Sequence, residues 1–166
     1  MFKKLFGKKE DAPTTVSIYS PLSGNLLPLE QVPDPVFSQK MMGDGLAVEP
    51  TDGKVVSPIE GEVMQVFPTK HAVGLKSKNG AEVLIHIGLE TVSMEGKGFE
   101  AHVSEGSKVS VGDPLITFDM ELVKEKAKST ITPVIVTNGD DLGTLEKKQE
   151  ESVAAGQSEI MTVSAK

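Results

Sequence analysis

His71-Ala72-Val73-Gly74-Leu75-Lys76-Ser77-Lys78-Asn79-Gly80-Ala81-Glu82-Val83-Leu84-Ile85-His86-Ile87 reads as two short strands joined at Asn79-Gly80. Asn-Gly between alternating apolar residues is the strongest short-range signal for a two-residue hairpin turn. With Asn79-Gly80 at the centre, Lys78 faces Ala81 and Val73 faces His86. His71 lies two residues from Val73 and points to the same face. The two histidines then become diagonal neighbours, about 7–8 Å apart at the backbone. A turn at Lys78-Asn79 sets them directly opposite, whereas a three-residue loop would separate them. Val83, Ile85 and Ile87 form a core stripe. His86 shares the other face with Leu84 and Gly88. Gly88, lacking a side chain, leaves room beside the ring.

The same style of chain extends outward. Val55-Val56, Val63–Phe67, Val109–Val111, Leu115–Phe118 and Val134–Val136 are further short apolar runs between Gly, Pro, Asn and Asp. Many short strands with frequent turns predict an all-β fold, an antiparallel sandwich or barrel. Helices are few. Asp34-Pro35-Val36-Phe37 has an N-cap followed by proline at N1. Asp119–Lys128 has acids early and lysines late. Leu142–Gln149 is a weaker third candidate. Ser20-Pro21-Leu22-Ser23-Gly24 echoes Ser57-Pro58-Ile59-Glu60-Gly61, as a duplicated strand–turn–strand unit would. Glu105–Leu115 has the turn–strand–turn look of a hammerhead-type β domain.

The chain has 166 residues, 38% of them hydrophobic, and a net charge of −7. That length suggests one domain with a real core. Residues 1–16 read as a flexible basic tail and 17–166 as a single domain. Met1, Phe2, Leu5 and Phe6 fall at helical spacing among Lys3, Lys4, Lys8 and Lys9, a pattern suited to peripheral contact with an anionic membrane surface. Those four lysines leave the remainder at −11, which argues against nucleic acid as a partner. No apolar run is long enough to span a membrane, and no signal-peptide h-region follows the first lysines. With no cysteine there is no disulfide or thiolate nucleophile. All seventeen cations are lysine. The arginine fork that usually clamps phosphates is therefore missing, as are the glycine-rich nucleotide loops.

A same-face histidine pair admits two chemistries. Two imidazoles make half a zinc site, to which Glu90 or a partner's carboxylate would add. Alternatively, a neutral imidazole is a good nucleophile near pH 7 and can accept a phosphoryl group. The second ring would then hydrogen-bond the phosphoryl oxygens, and Thr69 would hold that ring's tautomer. The pair alone does not choose. His102, in a polar stretch, reads as a surface or locally bonded histidine.

The segments Ser20–Gly24, Val32–Phe37, Gly43–Ala47, Thr69–Ala72, Leu84–Val92, Gly112–Leu115 and Lys126–Val134 together resemble the glucose-class IIA component of the bacterial phosphoenolpyruvate-dependent sugar phosphotransferase system. The resemblance implies a compact antiparallel β-sandwich with a few short helices. It implies a cytoplasmic transferase component in which His86 is phosphorylated at Nε2 by HPr. The phosphoryl group passes on to a cysteine of the permease's IIB domain. It implies that His71 stabilises the transferring group, that Thr69 orients His71, and that Gly88 keeps the site open. Val36, Phe37 and Leu84 would belong to an apolar docking ring. The family often has Asp where this chain has Glu90. No cofactor is required, although zinc bridging His71, His86 and a partner's carboxylate is compatible with regulatory binding of target proteins. A monomer suits such a carrier. The competing readings are a zinc-dependent hydrolase using His71, His86 and Glu90, and a biotinyl- or lipoyl-carrier module. The hydrolase lacks a His-x-His, and the carrier module lacks a lysine motif.

Overall fold

The computed structural model describes residues 13–166. Its elements are β1 (Thr15–Tyr19), β2 (Gly24–Pro28), α1 (Pro35–Ser38), β3 (Asp44–Pro50), β4 (Lys54–Val56), β5 (Gly61–Val66), β6 (Ala72–Ser77), β7 (Glu82–His86), β8 (Phe99–Ala101), β9 (Lys108–Val109), β10 (Pro114–Phe118), α2 (Met120–Lys126), β11 (Thr132–Val136), β12 (Leu142–Lys147), β13 (Ser152–Val153) and β14 (Glu159–Ala165). The strands form an eight-stranded sheet, β13-β2-β3-β11-β7-β6-β5-β9, and two three-stranded sheets, β1-β14-β12 and β4-β10-β8. Each strand pairing is antiparallel. The all-β expectation holds.

The central strands of the large sheet are apolar on both faces. Leu46, Val48, Val73, Leu75, Val83, Ile85, Val134 and Val136 enter the main core, which they share with Ile18, Val55 and Val163 from the smaller sheets. The alternate residues Ala47, Ala72, Leu84 and Ile135 point the other way. There they meet Leu29, Val32, Phe37 and Leu89 in a second, smaller cluster. That cluster carries the histidine face.

Both Ser-Pro corners are built alike. Ser20 Oγ donates to Leu22 O at 2.6 Å and Ser57 Oγ to Ile59 O at 2.7 Å, with both serines fully buried. The corners also pair with each other: Tyr19 N–H donates to Pro58 O, and Val56 N–H donates to Pro21 O. Beyond each corner a glycine starts a strand. Gly24 pairs with Val153 of β13, and Gly61 with Val109 of β9. A Cβ at Gly24 would lie 2.0 Å from Glu49 O, and one at Gly61 2.0 Å from Lys76 O. The sequence echo therefore marks two structurally equivalent strand–turn–strand units.

Both expected helix caps form. Asp34 Oδ1 accepts from Val36 N–H at 3.0 Å, and Asp119 Oδ1 accepts from Leu122 N–H at 3.1 Å. The second helix ends at Lys126, two residues short of the expected Lys128. Leu142–Gln149 is not a helix. Leu142–Lys147 is strand β12 against β14, with an irregularity between Leu142 and Leu145. Gly143 weakens a helix there, and the pairing buries Leu142. The ordered fold starts earlier than residue 17, because Thr15 and Val16 pair with Ser164 and Val163. The basic amphipathic stretch before it lies outside the described residues.

Candidate functional site

The β6–β7 hairpin has a different register from the one expected. Ala72, not Val73, faces His86, and Lys76 faces Glu82. The loop is the three-residue Lys78-Asn79-Gly80. Gly80 takes φ 92°, and Ser77 N–H donates to Ala81 O. Simple alternation along β6 would now send His71 to the wrong face, yet the two rings lie together. Their centroids are 4.9 Å apart at 79°. The reason is local. His71 sits just outside β6, where Lys70 adopts a left-handed φ of 59° and donates to Phe67 O. That bend breaks the strand's alternation just before His71, while His71 O still accepts from Ile87 N–H at 2.7 Å.

Each imidazole is held at one nitrogen. His86 Nδ1 lies 2.8 Å from Gly88 O. A carbonyl only accepts, so Nδ1 carries the proton and Nε2 keeps its lone pair. His71 Nδ1 lies 2.5 Å from Thr69 Oγ1. Phe37 packs its ring 5.0 Å from His86, and Phe67 meets His71 edge-on at 5.7 Å. Burial, reinforced by the neighbouring His86, pushes His71 down to about 4. Burial also pushes His86 below the usual histidine range, against the opposing pull of the Gly88 carbonyl and the Asp34 carboxylate. Two neutral imidazoles side by side at pH 7 supply one nucleophilic nitrogen and one polar neighbour.

Other expected site residues need correction. Gly88 does not simply clear space beside the ring. It has φ +71°, and a Cβ there would meet Ser129 O at 2.7 Å and Thr91 Cγ2 at 2.8 Å. Its contribution is a tight backbone path that aims its carbonyl at His86. Phe37 and Leu84 are buried, 4% and 6% exposed, so they back the site instead of ringing it. Val36, by contrast, is exposed at 39%. Met41, Met42 and Val92 are exposed too. They lie outside the apolar runs read as strands, so alternation gives no signal for them. Glu90 is exposed in a left-handed conformation ahead of a short 3-10 turn. The carboxylate that acts on His86 is Asp34, which the sequence marked only as a helix cap. Among the described residues no three His, Asp or Glu side chains come together as a metal set. Glu90 therefore does not complete a site with His71 and His86. His102 Nε2 lies 3.1 Å from Thr117 Oγ1 at the surface, as expected for a locally bonded histidine.

A model of the family described as phosphoenolpyruvate-dependent sugar phosphotransferase system, EIIA 1, matches residues 16–142. The chain belongs to this family. This EIIA chain is also 60% identical over 169 residues to the "PTS system glucose-specific EIIA component" of Halalkalibacterium halodurans, covering 98% of each. It is 55% identical over 166 residues to the Bacillus cereus protein of the same name, covering all of both. The solved structure "glucose permease IIA from Mycoplasma capricolum" superposes with TM-score 0.83 at 37% identity. That match covers 90% of this EIIA chain and 96% of the other. The chain is thus a transferase component of sugar transport. No helix among the described residues is long and apolar enough to cross a membrane.

Proposed function

We propose that this EIIA chain is a glucose-class phosphocarrier that takes a phosphoryl group from phospho-HPr onto His86 Nε2. It then delivers that group to a cysteine of a IIB domain. The hydrogen bond from His86 Nδ1 to Gly88 O carries the reading, because it leaves Nε2 unprotonated beside a second imidazole. In the first step the Nε2 lone pair forms the new N–P bond. The donor's N–P bond breaks, and its electron pair returns to the HPr histidine. In the second, a IIB thiolate forms the S–P bond and the electron pair of the His86 N–P bond returns to Nε2. No metal or nucleotide enters the balance.

His71 works on the phosphoryl oxygens. When Thr69 O–H donates to Nδ1, His71 presents Nε2–H, a donor for charge spread over the transferring group. Positioning and charge dispersal are what such a transfer needs most. The exposed Val36, Met41, Met42 and Val92 supply apolar contact for unlike partners. In the unphosphorylated state these exposed apolar groups suit regulatory target proteins, and a new dianion on His86 would repel or reposition them. A zinc ion held by His71 and His86 would need its remaining ligands from such a partner. A self-contained hydrolase is disfavoured by the same lack of a third ligand among the described residues. A cytoplasmic monomer, with its basic tail touching the membrane, fits this role.

The test is incubation with phosphoenolpyruvate, enzyme I and HPr, followed by mapping of acid-labile phosphate. His86→Ala should take up none. His71→Ala should accept some phosphate and pass it on poorly. Labelling of His86→Ala at the wild-type rate would overturn the assignment.

A further inference from the structure

Two buried threonines grip the backbone that holds His86. Thr91 and Thr132 are both fully buried. Thr91 Oγ1 donates to Ile87 O at 2.6 Å. Gly88 N–H donates to Thr132 Oγ1 at 3.3 Å. These are the two ends of one peptide unit, between Ile87 and Gly88, clamped from both sides. The next peptide unit, between Gly88 and Leu89, is also engaged at both ends. Its N–H donates to Ser129 O at 2.9 Å and its carbonyl accepts from His86 Nδ1. Gly88, at φ +71°, is the only joint between the two units. Thr132 Oγ1 in turn donates to Thr130 O at 3.0 Å, so its hydroxyl is used as donor and acceptor.

We infer that Thr132, with Thr91 opposite it, is a positioning residue for the phosphoryl acceptor, fixing the His86 tautomer through the Gly88 backbone. This rests on the reading of His86 as acceptor. The chain of cause is short. With the Thr132 hold on its N–H gone, the glycine joint can turn, and that turn takes the Gly88 carbonyl away from Nδ1. Without that acceptor, the ring proton can move to Nε2, where it occupies the attacking lone pair. Fully satisfied buried networks of this kind rigidify a site, and a partly satisfied one loosens it. The cost appears in the chemistry, because small misplacements of a reacting group are expensive. Thr132 is fully buried and its hydroxyl is spent on Gly88 N–H and Thr130 O, so its effect is indirect.

The experiment compares Thr132→Val and Thr132→Ser with wild type. Valine keeps the volume and deletes the hydroxyl, orphaning Gly88 N–H and Thr130 O. Serine restores the hydroxyl. The primary readout is 15N NMR of the His86 ring, which reports the tautomer with no phosphoryl transfer involved. The second is the rate of phosphate uptake from phospho-HPr. Thr132→Val should show a clear gain of the Nε2–H tautomer and an uptake rate lower by about tenfold or more. The His71 tautomer should stay as in wild type, and Thr132→Ser should return to within about threefold of the wild-type rate. Wild-type tautomer and rate in Thr132→Val would overturn the inference. So would a loss that serine does not rescue. If Thr132→Val does not fold, Thr91→Val removes the opposite clamp and is read by the same two measurements and the same criteria. Failure of the acceptor assignment itself would show separately, as phosphate mapped to another residue in wild type.

Discussion

Gly88→Ala separates two ideas about this glycine: spare room beside the imidazole, or a backbone path that only glycine can take. The structure supports the second. A left-handed conformation costs a non-glycine residue roughly 1–2 kcal/mol. The new Cβ would also meet the Ser129 carbonyl at 2.7 Å and Thr91 Cγ2 at 2.8 Å, in a fully packed region. Overpacking of that kind typically adds about 1–3 kcal/mol. The two effects sum to roughly 2–5 kcal/mol, which at about 2–4 °C per kcal/mol lowers Tm by on the order of 5–20 °C. Two glycines act as internal controls. Gly106 has φ +91° with nothing within 4 Å, and Gly74 has ordinary backbone with nothing within 4 Å. Gly106→Ala should therefore lose about 1–2 kcal/mol, the conformational cost alone. Gly74→Ala should be neutral or slightly stabilising, by up to about 1 kcal/mol. Urea titrations of the three variants give the order directly. Gly88→Ala as stable as Gly106→Ala would refute the close-packing account.

Acid should destabilise the protein through His71. Its pKa is about 4 in the fold against 6.5 normally, so the unfolded chain binds the proton first. The stability is complete above the unfolded value and is lost as pH falls from about 6.5 to about 4, a loss of roughly 3 kcal/mol. His71→Gln should flatten that slope in denaturant midpoints taken between pH 7 and pH 4.5; an unchanged slope would place the acid sensitivity elsewhere. Phe37→Ala should cost about 3–5 kcal/mol in stability, because the ring is buried against His86. Val36→Ala should stay within about 0.5 kcal/mol while weakening transfer from HPr through KM. Equal kinetic effects with equal stability losses would dissolve that distinction. Ser20→Ala and Ser57→Ala each strip a buried carbonyl of its donor and should each cost about 1–3 kcal/mol. Markedly unequal losses in urea would show that the two corners are not equivalent.

The histidine hairpin was legible because Asn79-Gly80 announces a turn between alternating apolar runs. Its register was not, because a two-residue and a three-residue loop share that signature. The choice of φ 92° at Gly80 depends on Ser77 and Ala81 closing across it. The rings pair in a register that alternation would not allow, and the chain bends at Lys70 just ahead of His71. Nothing in a lysine predicts a left-handed backbone. The face carrying His86 had no apolar stripe of its own. Its second cluster is assembled from Leu29, Val32 and Phe37, which are distant in sequence. The same blindness applies to β12: its partner β14 is identifiable only once the sheet exists, so local charge and leucine spacing suggested a helix. Asp34 was legible as a cap from Pro35. Its pull on His86 required the fold.

Strand β14 sits between β1 and β12, and its residues follow both of theirs along the polypeptide. Until Met161 and Val163 emerge, Ile18 and Val16 have no neighbour to pair with. The earlier strand must therefore wait for the later one, with every other described strand already made. Vectorial synthesis gives this sheet no head start, so the arrival of β14 gates its closure. Deleting β14 should leave β1 and β12 as bare edges and an aggregation-prone product.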